Sequence, residues 1–214
     1  LSLVMSITVF VALQSFTGLL DASSSVQDMY FSDYAVTNET VGIPSEAVKT
    51  LAENDAVESV STTRLSVFMP GAGDILPFET DLSVQSHETL QLVNVDEAQL
   101  QIYAPNLSAQ DKQALKDGTG CLVKNPIAFS YGDTTVQQTD LTVGDTIQLG
   151  DRTLPVLGLI DTAITINNDG FTNGVQLIVN DEIYCSLLGN DSYSEVYPTL
   201  QDNADTDTFE SWLD

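Results

Sequence analysis

Residues 141–163 read LTVGDTIQLGDRTLPVLGLIDTA, and this stretch decides the fold. It contains two Gly-Asp pairs, Gly144-Asp145 and Gly150-Asp151, and both residue types favour tight turns. Between and after these pairs, apolar and polar residues tend to alternate, which is typical of strands with one buried face. The stretch therefore predicts a β-hairpin with one face against a core. The side chains predicted to face that core are Ile147, Leu149, Leu154, Val156 and Leu159.

Further strand-like segments lie on both sides of this hairpin. Their residues are rich in β-branched and aromatic types, which favour extended structure. Residues 87–104 are predicted to form one or two strands, and Pro198 in the last segment favours a sheet edge or a strand end. The predicted segments are 29–37, 57–68, 87–104, 120–131, 174–180 and 193–200.

Short helices are predicted between the strands. Residues 45–54 have helical apolar spacing, and Pro44 fits the first turn of a helix. Residues 108–117 have Ser108 as the N-cap and Gly118 directly after the end. A third helix is predicted over 181–188. A few helices among many strands predict an α+β fold rather than a doubly wound parallel sheet.

The chain is strongly acidic because bases are scarce. Its 214 residues include 31 Asp and Glu against 6 Lys and Arg, a net charge of -25. Phosphate contacts need clustered Lys and Arg, so nucleic acid is not an expected partner. The charge is interpreted first as a solubility feature. Alternatively, it concentrates cationic peptides near the domain, an effect screened over about 8 Å at physiological salt.

Residues 1–20 contain no charged side chain, and their apolar residues fall on every side of a helix. A run of about 20 apolar residues is long enough to span a bilayer. We interpret it as the end of a transmembrane helix, with a signal-peptide core or a buried helix as alternatives. No base precedes Lys49 while Asp21 follows the run at once, which favours an outward-facing chain after it. The start at Leu1 rather than Met is interpreted as that of a fragment.

Cys121 and Cys185 are the two cysteines. An extracellular setting would permit a disulfide between them. Both residues border apolar runs, however, and free cysteine is among the most buried residue types. We therefore expect two buried thiols, and a disulfide is the alternative.

No catalytic constellation is predicted. His87 is the single histidine, and its polar surroundings favour a surface position. The Gly-rich strings at 71–74 and 118–120 lack the continuation of a phosphate-binding loop. Residues 202–207 and 167–170 carry closely spaced oxygen ligands, but neither completes a calcium-binding loop. We predict no catalytic, cofactor-binding or metal-ligating residue.

Three segments together resemble the extracytoplasmic domain, of the MacB-like periplasmic core type, of an FtsX/MacB-like ABC transporter permease from a Gram-positive bacterium. LSLVMSITVFVALQSF (1–16) leading into LLDASSSVQDMYFSDYAVTN (19–38) resembles the end of the first membrane helix and the extended segment after it. GIPSEAVKTLAENDAVESVSTTR (42–64) is similar to the family's helix and following strand. The hairpin at 141–163 resembles the family's hairpin and is the most specific of the three.

The resemblance covers most of 1–68 and 119–190 and is weak over 69–118. It implies a division of the chain into three parts. Residues 1–20 would be the end of the first transmembrane helix. Residues 21–68 and 175–214 would form a membrane-proximal α+β lobe, and residues 69–174 an inserted, mainly β lobe.

The resemblance also implies a function. The domain would lie on the extracellular side of the cell membrane and would not be an enzyme. It would couple ATP-driven movement of membrane helices to an external cargo or partner, a mode called mechanotransmission. Expected partners are a separate ABC ATPase subunit, which would contact other parts of the permease, a second permease copy, and a cationic peptide or lipoprotein. The alternative is a membrane-anchored extracellular binding or adhesion protein.

Overall fold

The computed structural model describes residue 32 and residues 34–37, 42–83, 89–126, 129–131, 134–136, 139–164 and 174–213. The predicted membrane helix over 1–20, the single histidine His87 and the acidic loop at 167–170 lie outside these residues. Within the described ranges, no helix has both the length and the apolar character needed to cross a bilayer.

Eight strands of the described chain form one sheet, and two form a separate hairpin. The order in the sheet is β1-β10-β2-β3-β9-β4-β8-β7, and the hairpin is β5-β6. The strands are β1 (Val36–Thr37), β2 (Val57–Phe68), β3 (Thr89–Val95), β4 (Cys121–Lys124), β5 (Phe129–Tyr131), β6 (Thr134–Val136), β7 (Thr146–Leu149), β8 (Arg152–Leu159), β9 (Gly174–Ile178) and β10 (Glu195–Leu200).

Neighbouring strands in the large sheet are antiparallel except at two places. Strands β3 and β9 are parallel, as are β4 and β8. Parallel neighbours need a long crossover connection, and both helices and strands lie between β3 and β9 along the chain. The sheet is therefore mixed, and the predicted α+β class is confirmed.

Five helices accompany the strands in the described chain. They are α1 (Ser45–Ala52), α2 (Glu97–Tyr103), α3 (Ala109–Lys116), α4 (Asp181–Leu188) and α5 (Thr206–Leu213). Side-chain oxygens cap three of them by accepting a backbone N–H in the first turn, where the helix leaves such groups unbonded. The caps are Asp96 for α2, Ser108 for α3 and Asn180 for α4. The predicted helices over 45–54, 108–117 and 181–188 are confirmed to within two residues.

Because successive side chains of a strand point to opposite faces, the central strands contribute to two cores. Leu92 and Leu177 belong to the core that contains the β7–β8 hairpin and α4. Val93 and Ile178, the next residues along, belong to the core that contains α2 and α3. Full burial of each such side chain stabilises the fold by roughly 1.5–3 kcal/mol. Helices α2 and α4 thus lie on opposite faces of the sheet.

The decisive hairpin forms as predicted, with one exception. Gly144 and Gly150 have positive φ angles at the turns, and Ile147, Leu149, Leu154 and Val156 are buried in one core. Leu159, which was also predicted to face the core, is instead 44% exposed. The register between β4 and β8 shifts between Cys121 and Leu122, opposite this part of β8. Strict alternation of buried and exposed residues therefore fails beyond Val156.

Two further elements differ from the sequence prediction. Residues 97–103 were predicted as strand and form α2, because Asp96 caps a helix there. Helix α5 occupies the acidic tail, for which no helix was predicted. Pro198 was predicted at a sheet edge or strand end. It lies within β10, where β10 pairs only with β2, because the edge strand β1 pairs only with Glu195 and Val196.

The division into a membrane-proximal lobe and an inserted lobe stays a prediction. Strands from both predicted lobes belong to the same sheet. In particular β3, from the predicted inserted part, lies between β2 and β9 and pairs with both along its length.

Candidate functional site

The two cysteines, the strongest potential nucleophiles of the chain, both pack in or against one core. Both cysteines are free thiols. Cys121 is fully buried in β4, beside strand β8 of the hairpin, and burial raises the pKa of its thiol from 9.0 to about 12. Cys185 is partly buried against the same core, and burial also raises its pKa. A thiol that stays protonated at neutral pH is a poor nucleophile. The expected buried position is confirmed for Cys121, and Cys185 is only partly buried.

The acidic run at 202–207 leads into α5, which begins at Thr206. Asp205 accepts hydrogen bonds from the backbone N–H and the hydroxyl of Thr208, at 3.2 and 2.8 Å. These bonds hold the pKa of the Asp205 carboxyl below its usual range. Among the described residues, no group of three or more His, Cys, Asp or Glu side chains is arranged to hold a metal ion.

Arg64 makes several polar contacts in the interior of the described chain. It lies on β2, and its side chain is 3% exposed. The guanidinium donates to the side-chain oxygen of Asn94 on β3 and pairs with Asp181 at the start of α4. It also donates to the backbone carbonyls of Asp191 and Ser192, at 3.0 and 3.2 Å. One side chain therefore fastens together two strands, a helix and the loop that leads into β10.

Gln176 fixes the segment that follows β8. Its side-chain amide bonds to both backbone groups of Ile164: the Ile164 N–H donates at 2.8 Å and the Ile164 carbonyl accepts at 2.6 Å. The same amide donates to Gln91 on the neighbouring strand at 2.6 Å. Both glutamines are about 1% exposed. These bonds tie the chain after β8 to the two central strands β3 and β9.

A cleft opens where the parallel strands β3 and β9 end side by side. Each strand leads directly into a helix, and the two helices, α2 and α4, lie on opposite faces of the sheet. In open α/β sheets, ligands bind beyond the carboxyl ends of strands at such a divergence. Here the cleft encloses about 710 Å³, within the usual size of a ligand pocket. We call it the β3/β9 cleft.

The β3/β9 cleft is lined by both strand–helix junctions and by α3. The junction residues are Asn94 to Glu97 and Val179 to Glu182, and α3 adds Lys112, Gln113 and Lys116. Sequence reasoning predicted α3 and its cap but assigned no role to the two lysines. Their spacing of four residues on a predicted helix, in a chain with six bases, was the available signal.

The two ends of the described domain meet. Tyr34, near its start, packs edge-on against Phe209 of α5 with ring centroids 5.3 Å apart, and its hydroxyl donates to Glu210 at 3.1 Å. Phe209 also stacks on Trp212, which is 45% exposed. The beginning and the end of the described chain therefore lie next to each other.

Comparisons with known proteins find similar solved structures but no matching sequence family. Neither a protein-family model nor a curated protein sequence matches the chain. Among solved structures, it is similar to the extracellular domain of the noncanonic ABC-type transporter YknZ from Gram-positive bacteria, at 10% identity and a TM-score of 0.47, covering 83% of this chain and 85% of that one. It is also similar to the periplasmic region of MacB from Actinobacillus actinomycetemcomitans, at 10% identity and a TM-score of 0.46, covering 82% of this chain and 72% of that one. Both are extracytoplasmic regions of the class that the sequence resemblance names.

Proposed function

We propose that this chain is the extracellular domain of an ABC transporter permease and that it couples movement of membrane helices to an external cargo or partner. The sequence support is the hairpin at 141–163 together with the segments 1–38 and 42–64. The structural observation that carries the proposal is the contact of Tyr34 with Phe209. A domain inserted between two membrane segments must receive and return the chain at the same end, and this contact meets that requirement.

In this proposal residues 1–20 are the end of a membrane helix that enters the domain close to Tyr34. ATP hydrolysis takes place on a separate subunit, which contacts other parts of the permease. A second permease copy, a lipoprotein or a cationic peptide is the partner outside the cell. The net charge of -25 suits a cationic partner, because it raises the local concentration of positive ligands.

The domain acts without catalysis in this proposal. Its support is chemical: Cys121 is buried and protonated at neutral pH, and the acids of the tail begin a helix. Substrate screens with esters, peptides and glycosides are expected to give no turnover, and turnover abolished by one point substitution would contradict this part.

Trp212 provides a direct test, because it is the only tryptophan in the chain. If residues 1–20 enter a bilayer, α5 lies at the end of the domain nearest to it. The fluorescence of Trp212, measured with the chain in vesicles of brominated phosphatidylcholine, should then be quenched. Bromine close to the headgroups should quench more than bromine deep in the acyl chains, since tryptophan prefers the interface.

The matched control moves the tryptophan to the far edge of the sheet. Val143 precedes β7 and is 63% exposed, so the double variant Trp212→Phe, Val143→Trp should show almost no quenching. Equal quenching at the two positions, or none at Trp212, would refute the proposed orientation. The complete gene separates this proposal from a singly anchored adhesion protein, since a permease needs several further membrane helices and an ATPase partner.

A further inference from the structure

Lys112 and Lys116 are unusual among the six bases of the chain, all of which the structure describes. Lys49, Arg64 and Arg152 each pair with an acid, namely Glu46, Asp181 and Glu182. Lys124 is buried in the sheet. Within the described chain, Lys112 and Lys116 are therefore the bases that are neither buried nor paired with an acid, and both line the β3/β9 cleft.

The acids around the cleft are mostly engaged elsewhere. Asp96 accepts the backbone N–H groups of Thr62 and Gln99, both at 2.9 Å. Asp181 is paired with Arg64, and Glu182 with Arg152 at 2.7 Å. Glu97 is the remaining acid of the lining, and it is exposed. Arg64 and Arg152 offset two of the four carboxylates of the lining, and Lys112 and Lys116 offset the other two. In a protein of net charge -25, this cleft is thus a local region without an excess of acid.

The lining of the cleft also includes apolar side chains. Among them are Val95, Leu100, Leu115 and Val179. A volume of about 710 Å³ is far larger than a phosphate or carboxylate group alone would fill. The ligand that suits this lining has an apolar body and one negatively charged head.

We propose that the β3/β9 cleft binds an amphipathic anion, whose carboxylate or phosphate group is held by Lys112 and Lys116 and whose apolar body lies against the apolar side chains of the lining. The two ammonium groups lie one helical turn apart on α3 and can approach one anionic group together. This inference is independent of the transport role, because it concerns binding to the isolated chain. Its failure would leave the Tyr34–Phe209 arrangement untouched.

The test is calorimetric titration of the 214-residue chain with octanoate and with octyl phosphate, below their micelle concentrations. Octyl glucoside, with the same tail and no charge, is the neutral comparison. Both anions should bind at least tenfold more tightly than octyl glucoside. The tighter of the two identifies the head group, carboxylate or phosphate. Binding of octyl glucoside as strong as that of the anions, or no binding of either anion, would overturn the proposal.

Variants locate the site. The double variant Lys112→Ala, Lys116→Ala should weaken anion binding tenfold or more, while Lys112→Arg, Lys116→Arg should keep it. Lys49→Ala removes one exposed base that does not line the cleft, and it should bind as the unaltered chain does. Glu97→Gln should strengthen anion binding severalfold. A gain of affinity cannot result from partial unfolding, so this variant tests the site even if the double alanine variant is destabilised. Unchanged binding in the double alanine variant, or equal losses in Lys49→Ala, would place the anion elsewhere and refute the proposal.

Discussion

The guanidinium of Arg64 lies over the ring of Tyr193, with its central carbon 3.7 Å from the ring centroid. This cation–π contact adds to the hydrogen bonds that the same group makes to Asn94 and to the backbone of the loop before β10. Strand β2 and that loop are therefore joined by one side chain that is almost fully buried.

Replacing Arg64 should destabilise the fold strongly. In Arg64→Ala, the acceptors on Asn94, Asp191 and Ser192 lose a buried donor, and the contact with Tyr193 is lost. We expect a loss of about 3 kcal/mol in the free energy of unfolding, measured by urea denaturation. The matched control is Arg152→Ala, whose exposed pair with Glu182 should contribute at most about 1 kcal/mol. Similar losses in the two variants would contradict the role given to Arg64.

The two hydrogen bonds between the Gln176 side chain and the backbone of Ile164 predict a second loss of stability. Gln176→Leu keeps a similar volume but leaves the N–H and carbonyl of Ile164 buried without their bonds. The expected cost is about 3 kcal/mol, together with faster hydrogen exchange of the Ile164 amide. Gln148→Leu is the control, because the Gln148 side chain is exposed and its side-chain amide donates only to the backbone carbonyl of Gly150. Unchanged hydrogen exchange of the Ile164 amide in Gln176→Leu would show that these two hydrogen bonds are dispensable.

Gly174 is the first residue of β9 and pairs with Thr89, the first residue of β3. A side chain at this position is expected to clash with β3. A β-carbon there would lie 2.1 Å from the carbonyl oxygen of Thr89, so Gly174→Ala must push the two strands apart. We expect a loss of about 3 kcal/mol in unfolding free energy. Gly189→Ala is the comparison: its surroundings are open and its φ is +62°, so only backbone strain of about 1 kcal/mol is expected. A reversed order of the two losses would contradict this account.

Cys121 predicts a loss of stability at alkaline pH. Burial raises the pKa of its thiol from 9.0 to about 12, so between these values the unfolded chain releases a proton that the folded chain keeps. The contribution of Cys121 is complete below pH 9 and is lost as the pH rises towards 12, by about 1.4 kcal/mol per pH unit. Lys124 acts in the opposite direction, because burial lowers its pKa and the unfolded chain binds the extra proton.

The comparison with a variant isolates the effect of Cys121. Cys121→Ala should be less stable at neutral pH but should show a weaker decline above pH 9 than the unaltered chain. Cys185→Ala serves as the control and should keep most of the decline. Parallel pH profiles for Cys121→Ala and the unaltered chain would rule out the buried thiol as its cause.

Much of the fold could be predicted from local sequence signals. Gly144 and Gly150 place the turns of the hairpin, and Ser108 and Gly118 bound a helix, because turn and cap preferences act over a few residues. Helix α2 was missed because the alternation of 87–95 was extended too far. The spacing of Asp96 and Gln99, a capping-box pattern, was the signal that a helix begins there.

The candidate site could not be predicted in the same way. Arg64 and Asp181 lie 117 positions apart along the chain, so their pairing follows from the sheet order and not from any local pattern. The β3/β9 cleft likewise depends on the parallel pairing of two distant strands. What the sequence does contain is the scarcity of bases, which singles out Lys112 and Lys116 once the other four are seen to be buried or paired with acids.

The parallel pair β3 and β9 also has a consequence for how the chain folds. Gln91 and Gln176, bonded across this pair, lie 85 positions apart. Because this contact closes a long loop, we expect it to form late. During synthesis β2 and β3 can pair first, which leaves the apolar edge of β3 open until β9 has been made. An open strand edge is a template for aggregation. We therefore expect slow or interrupted translation between the two strands to increase misfolding.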